Sequence, residues 1–199
     1  MFKKLKRQLM LSLVLFLIAD LLAIYLTTTH PSSIPKHLQS RLTHKIEIVD
    51  QIRVNEMEFI LYHDLATDQL DIAWYEPNTL LFWRYNFSGG HTTSSGAYVN
   101  RCQTYQTSDY FLVWGINEDL RASTLKISLN NETFIEDLSQ ELYFIKVYPL
   151  NGEFPDTIYC SFYNKNHENI SSYFFESFSQ YRNRNVFHYC TSILVEQLL

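Results

Sequence analysis

Hydrophobic and polar residues along this chain follow three successive patterns. The first is an apolar run over residues 9–26, LMLSLVLFLIADLLAIYL, in which only Ser12 and Asp20 are strongly polar. At about 1.5 Å rise per residue this run makes roughly 27 Å of helix, close to the roughly 30 Å hydrocarbon thickness of a bilayer. The second pattern has helical spacing: Ile34, Leu38, Leu42, Ile46 and Val49 recur on one face, behind Ser33 as a candidate N-cap and Pro35 in a first turn. It predicts a short amphipathic stalk helix that links membrane to domain. The third pattern, from residue 46 onward, is the alternation and compact apolar runs of β-strands.

Ile46 and Ile48 alternate, then Ile52 and Val54, with a break at Val49–Asp50. Residues 57–62 (MEFILY) form a strand, 63–69 carry turn residues, and 70–75 resume a strand. Pro77-Asn78 is a turn. Residues 79–87 (TLLFWRYNF) read as an aromatic strand ended by Ser88-Gly89-Gly90. Residues 46–90 are thus expected to form a meander of three or four strands. The polar stretch 91–107 reads as a long loop or lobe boundary. Further strands are expected over 109–116, 125–129, 142–148 and 157–163, with Thr133 and Ile135 following a hairpin turn at Asn130-Asn131. Toward the end, 173–178 is aromatic and 193–199 could be a short helix. The fold class is mainly β (β-rich α+β): a transmembrane helix and stalk helix, then antiparallel meander and hairpin lobes. The expected division is 1–8 cytoplasmic N-terminus, 9–27 transmembrane anchor, 28–45 juxtamembrane stalk and 46–199 an extracytoplasmic domain, with possible lobes at 46–90 and 108–199.

Charge fixes the expected orientation. Lys3, Lys4, Lys6 and Arg7 precede the apolar run, and with Asp20 they give residues 1–28 a net charge of +3. The remaining 12 basic and 20 acidic residues give −8. Basic residues tight against the span favour a cytoplasmic N-terminus, although Lys36, Arg41 and Lys45 reduce the asymmetry. The run is longer than a signal-peptide core and no A-x-A site follows, so an uncleaved anchor is expected, with a cleaved signal as the alternative. The acidic remainder argues against nucleic-acid binding. Asp20 near mid-span costs about 2.5–3.5 kcal/mol on insertion scales. The surrounding Leu, Ile and Phe offset this, and the alternative is a polar contact with another transmembrane helix.

Residues Ile52-Arg53-Val54-Asn55-Glu56, Leu70-Asp71-Ile72-Ala73-Trp74, Trp83 with Gly89-Gly90, Val113-Trp114-Gly115-Ile116, the 125–134 hairpin and Tyr143-Phe144 follow an order that resembles uncharacterised small membrane-anchored extracytoplasmic proteins of Gram-positive bacteria. The resemblance covers about residues 46–165. It implies an anchor followed by a hairpin lobe and a second β lobe, and it implies no activity.

Candidate chemistry is sparse. Cys102, Cys160 and Cys190 would lie outside the membrane, where one disulfide with three choices of pair is permitted, and a buried thiol in the 157–163 strand is the competing reading for Cys160. His63, Asp64, Asp68 and Asp71 cluster at a turn, without the spacing of a calcium loop, and read as backbone-bonding turn residues. Ser88, His91, Ser94 and Ser95 lack a nucleophile elbow. His37 and His44 share a face with Arg41 and Lys45, read as a solvated face. Asn86, Asn131 and Asn169 fit the N-x-[ST] pattern about as often as chance supplies it. Trp74, Trp83 and Trp114 fall in expected strands and read as core.

No catalytic, cofactor-binding or metal site is therefore expected. The expected partners are the lipid bilayer, through the N-terminal helix, and a membrane-protein or cell-wall component. The leading reading is a non-catalytic binding, sensing or accessory module at the cell envelope. The competing reading is an envelope hydrolase whose site is assembled only in the fold.

Overall fold

The computed structural model describes residues 2–92, 100–129, 132–150, 155 and 158–174. Helix α1 (Phe2–Thr27) contains the apolar run, and its 22 residues from Lys6 to Thr27 are long and apolar enough to cross a membrane. From Leu9 to Leu26 its large side chains are almost all exposed among the described residues. After a single 3₁₀ turn (Pro31–Ser33) comes helix α2 (Ile34–Arg41), with Pro35 in its first turn.

Among the described residues, ten strands follow in three antiparallel sheets. The first holds β1 (Ile46–Val54), β2 (Met57–Asp64), β3 (Gln69–Pro77) and β4 (Tyr85–Thr92) in chain order. The second holds β5 (Asn100–Gln106), β6 (Tyr110–Asn117) and β9 (Tyr143–Pro149), ordered β5-β6-β9. The third holds β7 (Thr124–Leu129), β8 (Glu132–Asp137) and β10 (Ile158–Tyr163), ordered β10-β7-β8. The chain is mainly β with two α-helices, as the pattern of hydrophobic positions predicts.

Period-two alternation sorts the side chains into layers. Along β6, Leu112, Trp114 and Ile116 pack toward the first sheet, against Phe59, Leu61, Leu70, Ile72 and Trp74. Phe111 and Val113 point the other way, into a core with Leu125, Ile127, Cys160 and Phe162 of the third sheet. The second sheet is therefore buried on both faces, which is why β6 reads as a continuous apolar run. The first sheet alternates likewise: Ile60, Tyr62, Ala73 and Tyr75 face α2, meeting Ile34 and Leu38. The layer order is α2, first sheet, second sheet, third sheet.

Local chemistry explains several connections. Asn55 and Glu56 have φ of 48° and 67°, the positive pair that a two-residue hairpin turn requires between β1 and β2. The break read at Val49–Asp50 is a register shift between Ile48 and Asp50 in the β1–β2 ladder. Gly115 has no room for a side chain: a Cβ there would lie 2.0 Å from the Arg101 carbonyl oxygen and 2.6 Å from the Phe144 ring.

Three expectations are corrected. Residues 79–84 are not strand; β4 starts at Tyr85, and Gly89 and Gly90 lie inside it instead of ending it. The reason is Asn78, whose side-chain oxygen accepts from the amides of Leu80 (3.0 Å) and Leu81 (2.8 Å) and turns the chain. The polar stretch 91–107 is not one loop, because β4 runs to Thr92 and β5 begins at Asn100. The helical spacing read from Ile34 to Val49 ends at Arg41, because Ile46 and Val49 belong to β1, while Ile34 and Leu38 of the amphipathic helix are buried against the first sheet. The Asn130-Asn131 turn, most of 173–178, the 193–199 helix, Asn131 and Cys190 lie outside the described residues.

Asn117, completely buried at the end of β6, binds the connections together. Its amide donates to the carbonyls of Ala122 (2.9 Å) and Leu138 (3.2 Å), and its oxygen accepts from the Ala122 amide (3.1 Å). Asn117→Ala leaves three buried backbone groups without this partner and is expected to destabilise the domain by about 3 kcal/mol. Chemical denaturation of the two forms measures this; equal midpoints would contradict the role given to Asn117.

Candidate functional site

Strand β4 and the residue before it fasten the apolar helix α1 to the domain. The last carbonyls of a helix lack intrahelical partners, and here an arginine supplies them. Arg84 donates from Nη2 to the Tyr25 carbonyl (2.9 Å) and to the Thr28 carbonyl, and from Nε to the Thr28 hydroxyl (2.7 Å). Its guanidinium also lies 4.0 Å from the centre of the Tyr25 ring. One residue on, Thr29 and Tyr85 exchange both backbone hydrogen bonds, at 2.8 and 2.7 Å. Thr28 and Thr29 are buried in this junction.

Helix α2 is held by three polar or aromatic contacts on the same face of the first sheet. His37 Nδ1 lies 3.0 Å from the Tyr75 hydroxyl, Arg41 stacks 4.2 Å above the Phe87 ring, and His44 Nδ1 lies 3.2 Å from Asp64 Oδ2. Burial pushes the Tyr75 phenol up to about 12, against the nearby Arg41, so the phenol stays protonated beside the His37 ring. Burial, and then the Arg41 charge, hold His37 below its ordinary value of 6.5. The His37–His44 face is thus engaged with the sheet and not merely solvated.

A groove of about 640 Å³ opens between the first and second sheets. Phe59, Trp74 and Tyr110 form its aromatic wall, and Met57, Pro77 and Pro149 add apolar edges. Glu76 and Asp109 bring two exposed carboxylates to it, and Ser88, Thr107 and Ser108 bring hydroxyls. The Trp74 indole is fixed by a stacked Tyr105 at 5.4 Å and lies on Gly89, where a Cβ would approach it to 2.6 Å. Gly89 is therefore the residue that lets the indole lie flat on β4. Burial pushes the Tyr110 phenol up, a hydrogen bond with Asn55 opposes this, and Asp109 adds to the rise. The tight turn before Tyr110 is held by Thr107, whose hydroxyl accepts from the amides of Asp109 (3.2 Å) and Tyr110 (2.9 Å).

The groove sits at a defined end of the molecule. Pro77 pairs with Tyr85, and Tyr85 pairs with Thr29, so Glu76 and Pro77 lie beside the fastening of α1. Asn55 and Met57 close the same end of the sheet across the β2–β3 pair.

The residues singled out from sequence fall in separate places. Asp64 accepts from the amides of Ala66 (2.8 Å) and Thr67 (3.3 Å), His63 meets Asp68 at 2.7 Å, and Asp71 is buried and bonded to the Tyr62 hydroxyl. Ser88 lines the groove, whereas the His91 ring packs against Tyr105 (4.9 Å) and Trp114 (5.7 Å); Ser94 and Ser95 lie outside the described residues. Cys102 and Cys160 are both buried toward the third sheet. Trp74 and Trp114 are core residues, but Trp83 is not: it is 49% exposed on the 79–84 loop. Sequence reading missed the groove, since its wall comes from β2, β3 and the β5–β6 turn, which no local motif connects. No protein-family model, curated protein or solved structure matches the chain.

The docking of α2 is expected to be acid-labile. His37 has a folded value below its unfolded one, so its contribution is complete above about 6.5 and is lost as pH falls, when the ring must charge beside Arg41. Asp64 is also lowered: burial raises it, but hydrogen bonds from Ala66, His44 and Thr67 outweigh burial, and its contribution is lost at more acidic pH. Amide exchange over residues 34–41, corrected for the intrinsic pH dependence, should show protection falling from pH 7 to 5. His37→Gln should flatten the part above pH 5, and a flat wild-type profile would contradict this account.

Proposed function

We propose that the chain is a single-pass membrane protein with its N-terminus in the cytoplasm and its β domain outside, and that the domain is a non-catalytic binding module. The groove between the first two sheets is its binding surface. The observation that carries this reading is position: the groove opens at the end of the first sheet to which α1 is fastened. A ligand reaching it is one presented at the membrane surface. Two exposed carboxylates beside an aromatic wall favour a ligand with positive charge and an apolar group. The net −8 of the chain beyond residue 28 adds to that preference. A basic juxtamembrane segment of another membrane protein has this chemistry. Asp20, exposed at mid-span of α1, offers such a partner a second, intramembrane contact.

A hydrolase is the second reading, favoured by Glu76 and Asp109 facing one groove. It ranks lower because both side chains are exposed, and acid catalysis needs a carboxyl kept protonated by burial or a neighbouring charge.

A photoreactive residue in place of Ser88, in the full chain in native membranes, tests the binding reading. It should crosslink to a membrane protein, and Glu76→Lys with Asp109→Lys should lower the yield several-fold, since an exposed ion pair contributes about 0.2–1 kcal/mol and reversal adds repulsion. No crosslinked product, or a yield indifferent to charge reversal, would sink it. Turnover of an envelope substrate that Glu76→Gln or Asp109→Asn abolishes would favour the hydrolase instead.

A further inference from the structure

The loop between β3 and β4 is ordered without being buried. Besides the two amide bonds to the Asn78 side chain, the Asn78 amide donates to the Arg84 carbonyl (2.7 Å) and the Arg84 amide to the Leu81 carbonyl (2.7 Å). The Phe82 and Trp83 rings meet edge to face at 5.0 Å. Yet Leu80 is 64%, Phe82 76% and Trp83 49% exposed. Three apolar side chains, with a half-buried Leu81 among them, are thus held out from the domain by a closed set of hydrogen bonds.

We propose that this loop is a second membrane contact: Leu80, Phe82 and Trp83 enter the lipid interface beside the last turn of α1. The inference rests on α1 crossing a bilayer and goes beyond the binding role, because it fixes how the domain stands on the membrane. Lipid is the occupant by continuity. Arg84 ends the loop and is bonded to the Tyr25 and Thr28 carbonyls, so the loop lies at the level where the apolar span gives way to polar chain. Tyr25 and Trp83 are the residue types that gather at the membrane interface. Residues 78–84 hold no acid; Glu76, two residues before them, is exposed and lies in the groove on the aqueous side. With the apolar residues at its tip and Arg84 at its base, the loop needs no anionic lipid to seat. The acidic domain is thereby compatible with close approach to the surface.

The test uses the full chain in phosphatidylcholine vesicles whose acyl chains carry bromine near the headgroup. Part of the tryptophan emission should be quenched, and Trp83→Phe should remove that part, because Trp74 and Trp114 are shielded between the sheets. Leu80→Ser with Phe82→Ser, its fold checked by circular dichroism, should lose the same quenching while Trp83 remains. A photoreactive residue at Phe82 should label phospholipid. Quenching unchanged by Trp83→Phe, or label found on a second copy or another protein instead of lipid, would overturn the loop's role. Carbonate extraction separates the two claims: release of the full chain overturns the anchor and the loop together, whereas retention without quenching of Trp83 overturns the loop alone.

Discussion

One arginine decides the geometry of this protein. The last carbonyls of α1 would otherwise turn to water or to lipid headgroups, and the chain after Thr27 would be a flexible tether. Arg84 takes the carbonyls of Tyr25 and Thr28, covers the Tyr25 ring and sits one residue before the Thr29–Tyr85 backbone pair. A helix long and apolar enough to cross a membrane and a β-sheet are thereby joined as packed elements. The position of the groove and of the 79–84 loop beside α1 both follow from that joint.

Behind it the domain is built from sheets that alternate strictly. Trp114 and Phe111 are three residues apart on β6 yet belong to different cores, one against the first sheet and one against the third. A sheet with both faces covered has no tolerance for a slip of register, since a one-residue shift would exchange the two cores. Gly115 marks the tightest point, where β5 and Phe144 approach too closely for any side chain. The groove exists because this stacking stops short at one end. There Asn55 of the β1–β2 turn and the Thr107–Tyr110 turn border the opening, with half-buried Tyr110 at its edge and Trp74 and Phe59 at its floor.

How much of this was legible in the sequence depends on the range of the interactions involved. The apolar run of α1, the alternation of β1 and its break at the bulge, and the compact runs of β2, β6 and β9 are local patterns, and they read correctly. Residues 79–87 misled because leucine, phenylalanine and tryptophan suit a strand, while a single side chain, Asn78, had already turned the backbone. Gly89 and Gly90 looked like a strand end; one of them is in fact the bed for Trp74 within a strand. The docking of α2 was half visible: its apolar face was read, but the sheet it meets was not. The groove was invisible, since Trp74, Asp109 and Pro149 become neighbours only when two sheets stack. Exposure of Trp83 had one available signal, four apolar residues in a row without alternation.

The rigidity of the joint is the claim on which the rest turns, and amide hydrogen exchange at Thr29 and Tyr85 in the bilayer-embedded full chain measures it directly. Both amides should be protected to the same degree as the β3–β4 ladder beside them, and Arg84→Ala should release Thr29 before it releases Tyr75. Exchange of Thr29 at the rate of an open linker in the unaltered protein would mean that the domain swings freely from its helix, and the placement of groove and loop at the membrane would fall with it.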